Sequence, residues 1–428
     1  MTQTNGPLPP AASASGQATL VIRNARVVTL TKDGSAPAGP ARGEGMGELH
    51  VIERADVLIA GARVTEVKKI GPKAKPRAPL AGVTEIDAAG RVLMPGLVDC
   101  HTHACWAGSR LDEWDQRRRG VAYLKILERG GGIMATVRAV REATLDQLAE
   151  GLLERAIEML RLGSTTIEVK SGYGLTTVDE MKMLHAVVQA QAKFPGLLVP
   201  TALLGHAIDE SQAGFVGRIT RETVPVVAAE FPGIAVDAYC EKGAWSVEQC
   251  VKLFSRAREL GLGVRVHADQ FNSLGMVAAA LHMGATSIDH LEATTKEDLT
   301  SLAQSKTIGV MLPACGFHTD GRYARGRSLV MQGGALAIAS NRNPGSAPCG
   351  SMALVVALAV RHLGLSPQEA ITAATLNPAR VLGLLDRGWI GPGARADVLL
   401  LKDTDERALG FEFGTSPIAR VIVGGRAI

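Results

Sequence analysis

The amino-acid sequence predicts an α/β protein: a (β/α)8 barrel of TIM type with a small β-sandwich-like domain built from both chain ends. Three observations carry this expectation. Eight short apolar runs recur through the middle of the chain, each followed by a polar or Gly-rich turn and then a helical pattern. Alternating strand patterns stand near both termini. Histidines and carboxylates of the middle section gather where the apolar runs end, which is where barrels of this kind keep their chemistry.

Taken in order, residues 1–18 are rich in Pro, Ala and Ser and contain no Lys or Arg, so they read as a flexible leader without a targeting signal. Thr19–Leu30 alternates like a half-buried strand, and Lys32–Gly47 is a Gly/Pro/Ala-rich loop. Strand patterns resume at Ala55–Gly71 and Val83–Gly96, and return at Gly388–Asp403 and Ile418–Ile428. We therefore expect residues 19–93 and 385–428 to form one composite β domain enclosing a barrel at 94–384. The eight barrel runs are Arg91–His103, Ser164–Gly174, Leu197–Ala207, Ile234–Gly243, Gly263–Phe271, Ala285–Glu292, Thr307–Cys315 and Ala335–Asn343. Amphipathic patterns such as Thr144–Gly163 and Ser246–Gly261 lie between them, as a parallel sheet requires. No GxGxxG follows the first run, which weakens an open dinucleotide-binding sheet.

Composition narrows the function classes. The 46 Lys and Arg against 42 Asp and Glu leave a net charge of +4, spread along the chain, which argues against a nucleic-acid partner. The continuously apolar stretch Met352–Val360 is too short to span a bilayer. Six cysteines without a CxxC pair fit free thiols in a reducing cytoplasm. A small-molecule enzyme remains.

Its chemistry is suggested by the run ends. His101 and His103 close the first run as H-x-H, and residues i and i+2 of a strand point the same way, so both imidazoles can face one ion. His267 closes the fifth run and His290 the sixth. Three neutral imidazoles with an open position suit one catalytic divalent metal, zinc or iron, which activates water. The eighth run ends in Ala339-Ser340-Asn341-Arg342-Asn343. Metal-dependent barrel hydrolases usually place an aspartate there as ligand and base; Asn341 is a poorer ligand and accepts no proton.

These residues carry a family resemblance. Pro95–Arg110 (PGLVDCHTHACWAGSR), Gly130–Ile133, Glu168–Leu175 (EVKSGYGL), Val236–Gly243, His267–Gly275 and Asn343–Pro348 (NPGSAP) resemble the imidazolonepropionases, metal-dependent amidohydrolases of histidine degradation. The resemblance implies opening of 4-imidazolone-5-propanoate by water to N-formimidoyl-L-glutamate, a homodimer, and metal histidines at His101, His103 and His267. It implies substrate contacts at Arg110, Tyr173, His206, Gln270, Asn343, Gly345 and Ser346, with His290 beside the metal. Asn341 holds the position of the family's catalytic aspartate ligand, and the seventh run departs from the family's apolar, aromatic style. His290, Glu241, Asp269 or a solvent chain are the candidates to take the proton, and His290 is the choice. Asn341 also leaves room for an amidohydrolase of another cyclic amide or amidine, or an impaired ligand-binding relative. Lys170, Glu241 and the histidines 50, 185, 282 and 362 are read as structural or surface groups, and the charged stretch Asp112–Gly120 as a solvated face.

Overall fold

The computed structural model describes residues 18–71, 73–74, 78–121, 125 and 130–428; the leader of the sequence reading lies almost wholly outside them. Eight parallel barrel strands follow one another around the middle of the chain: β6 (Leu97–Asp99), β7 (Ser164–Lys170), β8 (Leu197–Gly205), β9 (Ala235–Cys240), β11 (Val266–Ala268), β12 (Ser287–His290), β13 (Ile308–Met311) and β14 (Leu336–Ile338), with the short β10 (Gly263–Val264) pairing β9. The circle is sealed just past its strand ends, where the Asn341 N–H donates to the His101 carbonyl at 3.0 Å and the His103 N–H to Arg342 at 2.9 Å. Amphipathic helices cover the outside. Those at Leu145–Arg161 and Val247–Glu259 start in capping boxes (Thr144 with Gln147, Ser246 with Gln249) and bury faces that include Leu148, Leu152 and Met159, and Leu253 and Phe254. The apolar Met352–Val360 stretch is a largely buried helix, Met352–His362, and no helix among the described residues is long and apolar enough to cross a membrane.

The chain ends build a second sheet of eight strands, in the order β17 (Arg426–Ala427), β16 (Ile418–Val423), β15 (Val398–Leu401), β5 (Val92–Pro95), β1 (Leu20–Val28), β2 (Val51–Ala60) and β3 (Arg63–Lys69), with β4 (Thr84–Asp87) paired to β1. The sandwich-like packing comes from this single sheet curling until Arg63 bridges Arg395, which encloses Ile22, Val57, Leu93 and Val398.

One expectation is corrected at the junction. The run Arg91–His103 reads as one strand but forms two, β5 in the terminal sheet and β6 in the barrel. Gly96 is the hinge: its N–H donates to Asp397, and a Cβ there would lie 2.2 Å from Thr165 Oγ1. No larger residue fits where the chain leaves one sheet for the other.

Candidate active site

His101 and His103 follow β6, His267 lies in β11, and one ring nitrogen from each comes within 4.8 Å of the others. All three are buried. His101 Nδ1 is 2.6 Å from Asp289 Oδ2 and His267 Nδ1 is 3.1 Å from Asp237 Oδ1. A carboxylate there requires the proton on Nδ1, so each Nε2 presents a lone pair. His101 Nε2 is buried without a hydrogen-bond partner, and His103 Nε2 faces His267 Nε2 at 3.3 Å. Burial holds His101, His103 and His267 below the usual histidine value, so they stay neutral at pH 7. His101 and His267 present lone pairs, and His103, whose Nδ1 is buried without a partner, can present a third, so the cluster fits a divalent cation.

Buried charge beneath the histidines fixes their carboxylate partners. Arg265 donates to Asp289 at 2.8 Å, to the Cys100 carbonyl at 2.8 Å and to Glu168 at 3.2 Å. Lys170 donates to Glu168 and to Asp237, both at 2.7 Å. Burial and Arg265 oppose the Lys170 charge, but Asp237 and Glu168 outweigh them and its pKa is raised. It is a paired ammonium, in keeping with the structural reading of the sequence. Asp289 closes the sixth run beside His290 in the sequence, but Asp237 and Arg265 escaped that reading, although strand alternation that places charges on inward-facing positions is the signal that marks them.

On the rim, Tyr173 and His206 pack together with ring centroids 5.0 Å apart, and His206 stacks on His103 at 4.9 Å. Burial pushes the Tyr173 phenol up, and the nearby Arg110 charge pulls it the other way. Burial, reinforced by His267, holds His206 at about 3, so it too is neutral. The Tyr173 turn is wrapped around Glu180, which accepts from the N–H groups of Gly172, Gly174 and Leu175, each at 2.8 Å. Arg141 bonds the Gly174 carbonyl and Asp209 at 2.9 Å each, tying this turn to the loop after His206. Glu241 does for Gln270 what Glu180 does for Tyr173: it accepts from the Phe271 N–H at 2.8 Å and from the Asn272 amide at 2.7 Å. Gln270 accepts from the Tyr239 hydroxyl at 2.9 Å, a partner absent from the sequence reading.

Two expectations need correcting. Asp112–Gly120 contains a helix, Leu111–Arg118, but Glu113 is not on a solvated face: it accepts from Arg110 at 2.5 Å and from the Gly132 N–H at 3.2 Å. Asn343 does not offer its side chain outward. Its Oδ1 accepts from the Gly345 and Ser346 N–H groups at 2.8 and 2.7 Å, and its Nδ2 donates to the Asn341 carbonyl at 2.6 Å. The NPGS segment is a self-bonded turn. Arg110 lies against it, 3.5 Å from where a Gly345 Cβ would stand, with Nε buried and unpartnered.

Asn341, His290 and Asp269 are non-glycine residues with positive φ (54°, 85° and 57°), all at strand ends. Backbone held there by its surroundings is typical of functional sites. Asn341 Oδ1 is buried without a partner. The turn through His290 and Leu291 (φ 74°) brings Glu292 back, so that its Oε1 lies 3.2 Å from His290 Nδ1. The His290 ring is 5.7 Å from that of His267 and 6.0 Å from that of His101. The other histidines stand apart: His185 pairs with Glu230, and His362 stacks on Tyr323 at 4.2 Å.

Comparison with known proteins accords with this arrangement. Residues 116–427 match the amidohydrolase family model. An imidazolonepropionase of Deinococcus radiodurans is 42% identical over 90% of this chain and 95% of its own length. Another, from Herpetosiphon aurantiacus, is 38% identical over 96% of both. Among solved structures, 5-methylcytosine deaminase of Klebsiella pneumoniae superposes with a TM-score of 0.71 at 17% identity, over 95% of this chain and 97% of that one. A mutant atrazine chlorohydrolase of Arthrobacter aurescens, complexed with zinc and atraton, gives 0.67 at 18% identity over 96% and 95%. These structural likenesses show the fold; the sequence likenesses show the family.

Proposed function

This chain belongs to the imidazolonepropionase family of amidohydrolases, and from that membership we propose that it hydrolyses 4-imidazolone-5-propanoate to N-formimidoyl-L-glutamate. The observation that carries the reading is the convergence of three neutral histidine nitrogens beside Tyr173, His206 and Arg110. One divalent ion, zinc or iron, held by His101, His103 and His267 would supply a water acidified toward neutrality. Asn341, whose buried side-chain oxygen has no hydrogen-bond partner, would offer that ion a neutral ligand.

The chain's own groups supply the rest. Arg110 pairs with the propionate carboxylate, its guanidinium steadied by Glu113. Tyr173 and His206 hydrogen-bond the polar edge of the ring. Gln270, its Oε1 engaged by Tyr239 and its Nε2 only loosely held at 3.5 Å from the Cys315 sulfur, would meet the ring from the other side. His290 donates from Nδ1 to Glu292, which leaves Nε2 as the acceptor for the water's proton. The same atom returns that proton to the ring nitrogen as the lactam C–N bond breaks. Gly345 and Ser346 line the carboxylate end of the site. A homodimer, expected from resemblance alone, and a cytoplasmic setting, in keeping with six free cysteines, complete the reading.

Turnover tests it. Purified, metal-assayed protein should consume 4-imidazolone-5-propanoate and leave neutral cyclic amides untouched; the reverse preference would replace the assigned substrate.

A further inference from the structure

We propose that the chain carries a second cation site, built from His290, Glu292 and Cys315 and suited to a soft divalent ion such as zinc or cadmium. One donor atom from each residue lies within 4.8 Å of the other two. The residues come together because the left-handed turn after β12 folds Glu292 back beside His290, while Cys315 lies in the helix Pro313–His318 that follows the neighbouring β13. The Glu292 side chain is 6% exposed, and its Oε2 is buried with no hydrogen-bond partner. Cys315 is buried at 2% exposure. Its sulfur accepts a long contact from Gln270 Nε2 at 3.5 Å, with the Ser346 and Thr319 side chains also against it.

The donor set points to the ligand. Imidazole, carboxylate and thiol together are the ligands of zinc-like ions, not of magnesium or calcium, which take oxygen alone. The carboxylate oxygen left unpaired inside the protein asks for a positive partner, and no cationic side chain provides one among the described residues. A metal–thiolate bond requires the Cys315 thiol to give up its proton to make way for the cation. Loading therefore releases one thiol proton to solvent and forms a metal–sulfur bond, with no change of oxidation state.

The site shares His290 with the hydrolytic centre. An ion on Nδ1 leaves the remaining ring proton on Nε2, and the ring can then accept no proton there. Loading should inhibit hydrolysis. This consequence rests on the role proposed for His290; the binding site does not.

The test titrates protein holding one zinc per chain with cadmium, following bound metal by equilibrium dialysis and the cadmium–thiolate absorption band. The expected result is one further equivalent per chain with the band, affinity at least tenfold lower in Cys315→Ser with the band gone, and lower affinity in Glu292→Gln with the band kept. Absence of a second equivalent, or a band that survives in Cys315→Ser, overturns the site. Should Cys315→Ser not fold, undiminished cadmium affinity in Glu292→Gln overturns it instead. Full activity with the second ion bound would leave the site standing and remove His290 as the proton acceptor.

Discussion

The two sides of the barrel mouth are built by opposite means. On the side of β6, β11 and β12, His101 and His267 rest on buried carboxylates, which rest in turn on Arg265 and Lys170. On the side of β14, Asn341 has a backbone bond to His101 and a side-chain oxygen with no partner. The difference teaches where each task is carried. Ligand geometry is fixed from below by paired charge, and in the mechanism we propose the proton-accepting task, which a neutral amide cannot perform, falls to His290 beside Glu292.

This contrast can be broken from either side. The largest effect is expected from His101→Ala, which should abolish stoichiometric metal and bring hydrolysis to background; metal analysis of the purified variant checks it, and a fully loaded, active variant would dissolve the three-histidine centre. Next comes His290→Ala, for which a loss of about 10²–10⁴ in kcat follows from removing a positioned base. A kcat unchanged in that variant would return the proton to some other group. Asp289→Asn should weaken metal binding by about 10–100-fold, the usual scale for a lost carboxylate behind a ligating histidine; competition with a chelator measures it, and an unaltered affinity would show the buried support to be ornamental. Arg110→Ala should raise KM by roughly tenfold or more with kcat less affected, the signature of an anchoring contact.

The smallest effect concerns the rim clamp between Asp209 and Arg141. Burial alone would raise the Asp209 carboxyl, but Ser211, Gln212 and Arg141 hold it at about 2, below its ordinary 3.8. A depressed carboxyl stabilises the folded state above its unfolded pKa, and that contribution is lost as pH falls from about 4 toward 2. The melting-temperature deficit of Asp209→Asn should therefore be present at pH 7 and shrink as the pH approaches 3. A deficit that grows on acidification would contradict this linkage.

Much of the architecture was legible because barrel strands repeat one local pattern: an apolar run, a turn and an amphipathic helix, eight times over. The H-x-H pair was legible for the same local reason, since alternation places both rings on one face. What escaped depends on distance along the chain. Arg265 meets Glu168 across 97 residues, and nothing local to either announces the pair. The switch at Gly96 was half legible: the terminal pattern Val83–Gly96 overlaps the barrel run Arg91–His103, and only the approach of Thr165 to Gly96 shows where one strand gives way to the other. The turn bonding of Asn343 was not legible because an asparagine before Pro-Gly serves a turn as readily as a ligand, and its amide here bonds the turn. Glu292 lies two residues from His290, a spacing that pairs side chains only because the backbone there turns left-handed.

The most direct test of the account is the turnover of 4-imidazolone-5-propanoate by the natural protein beside its Asn341→Asp variant, both assayed for metal. We predict an ordinary enzymatic kcat for the natural protein, on the order of 1–10³ per second, and a change of less than about tenfold in the variant. Activity confined to the aspartate variant would contradict the account: the proton acceptor would then belong on the eighth strand, and this chain would be a family member that has lost it.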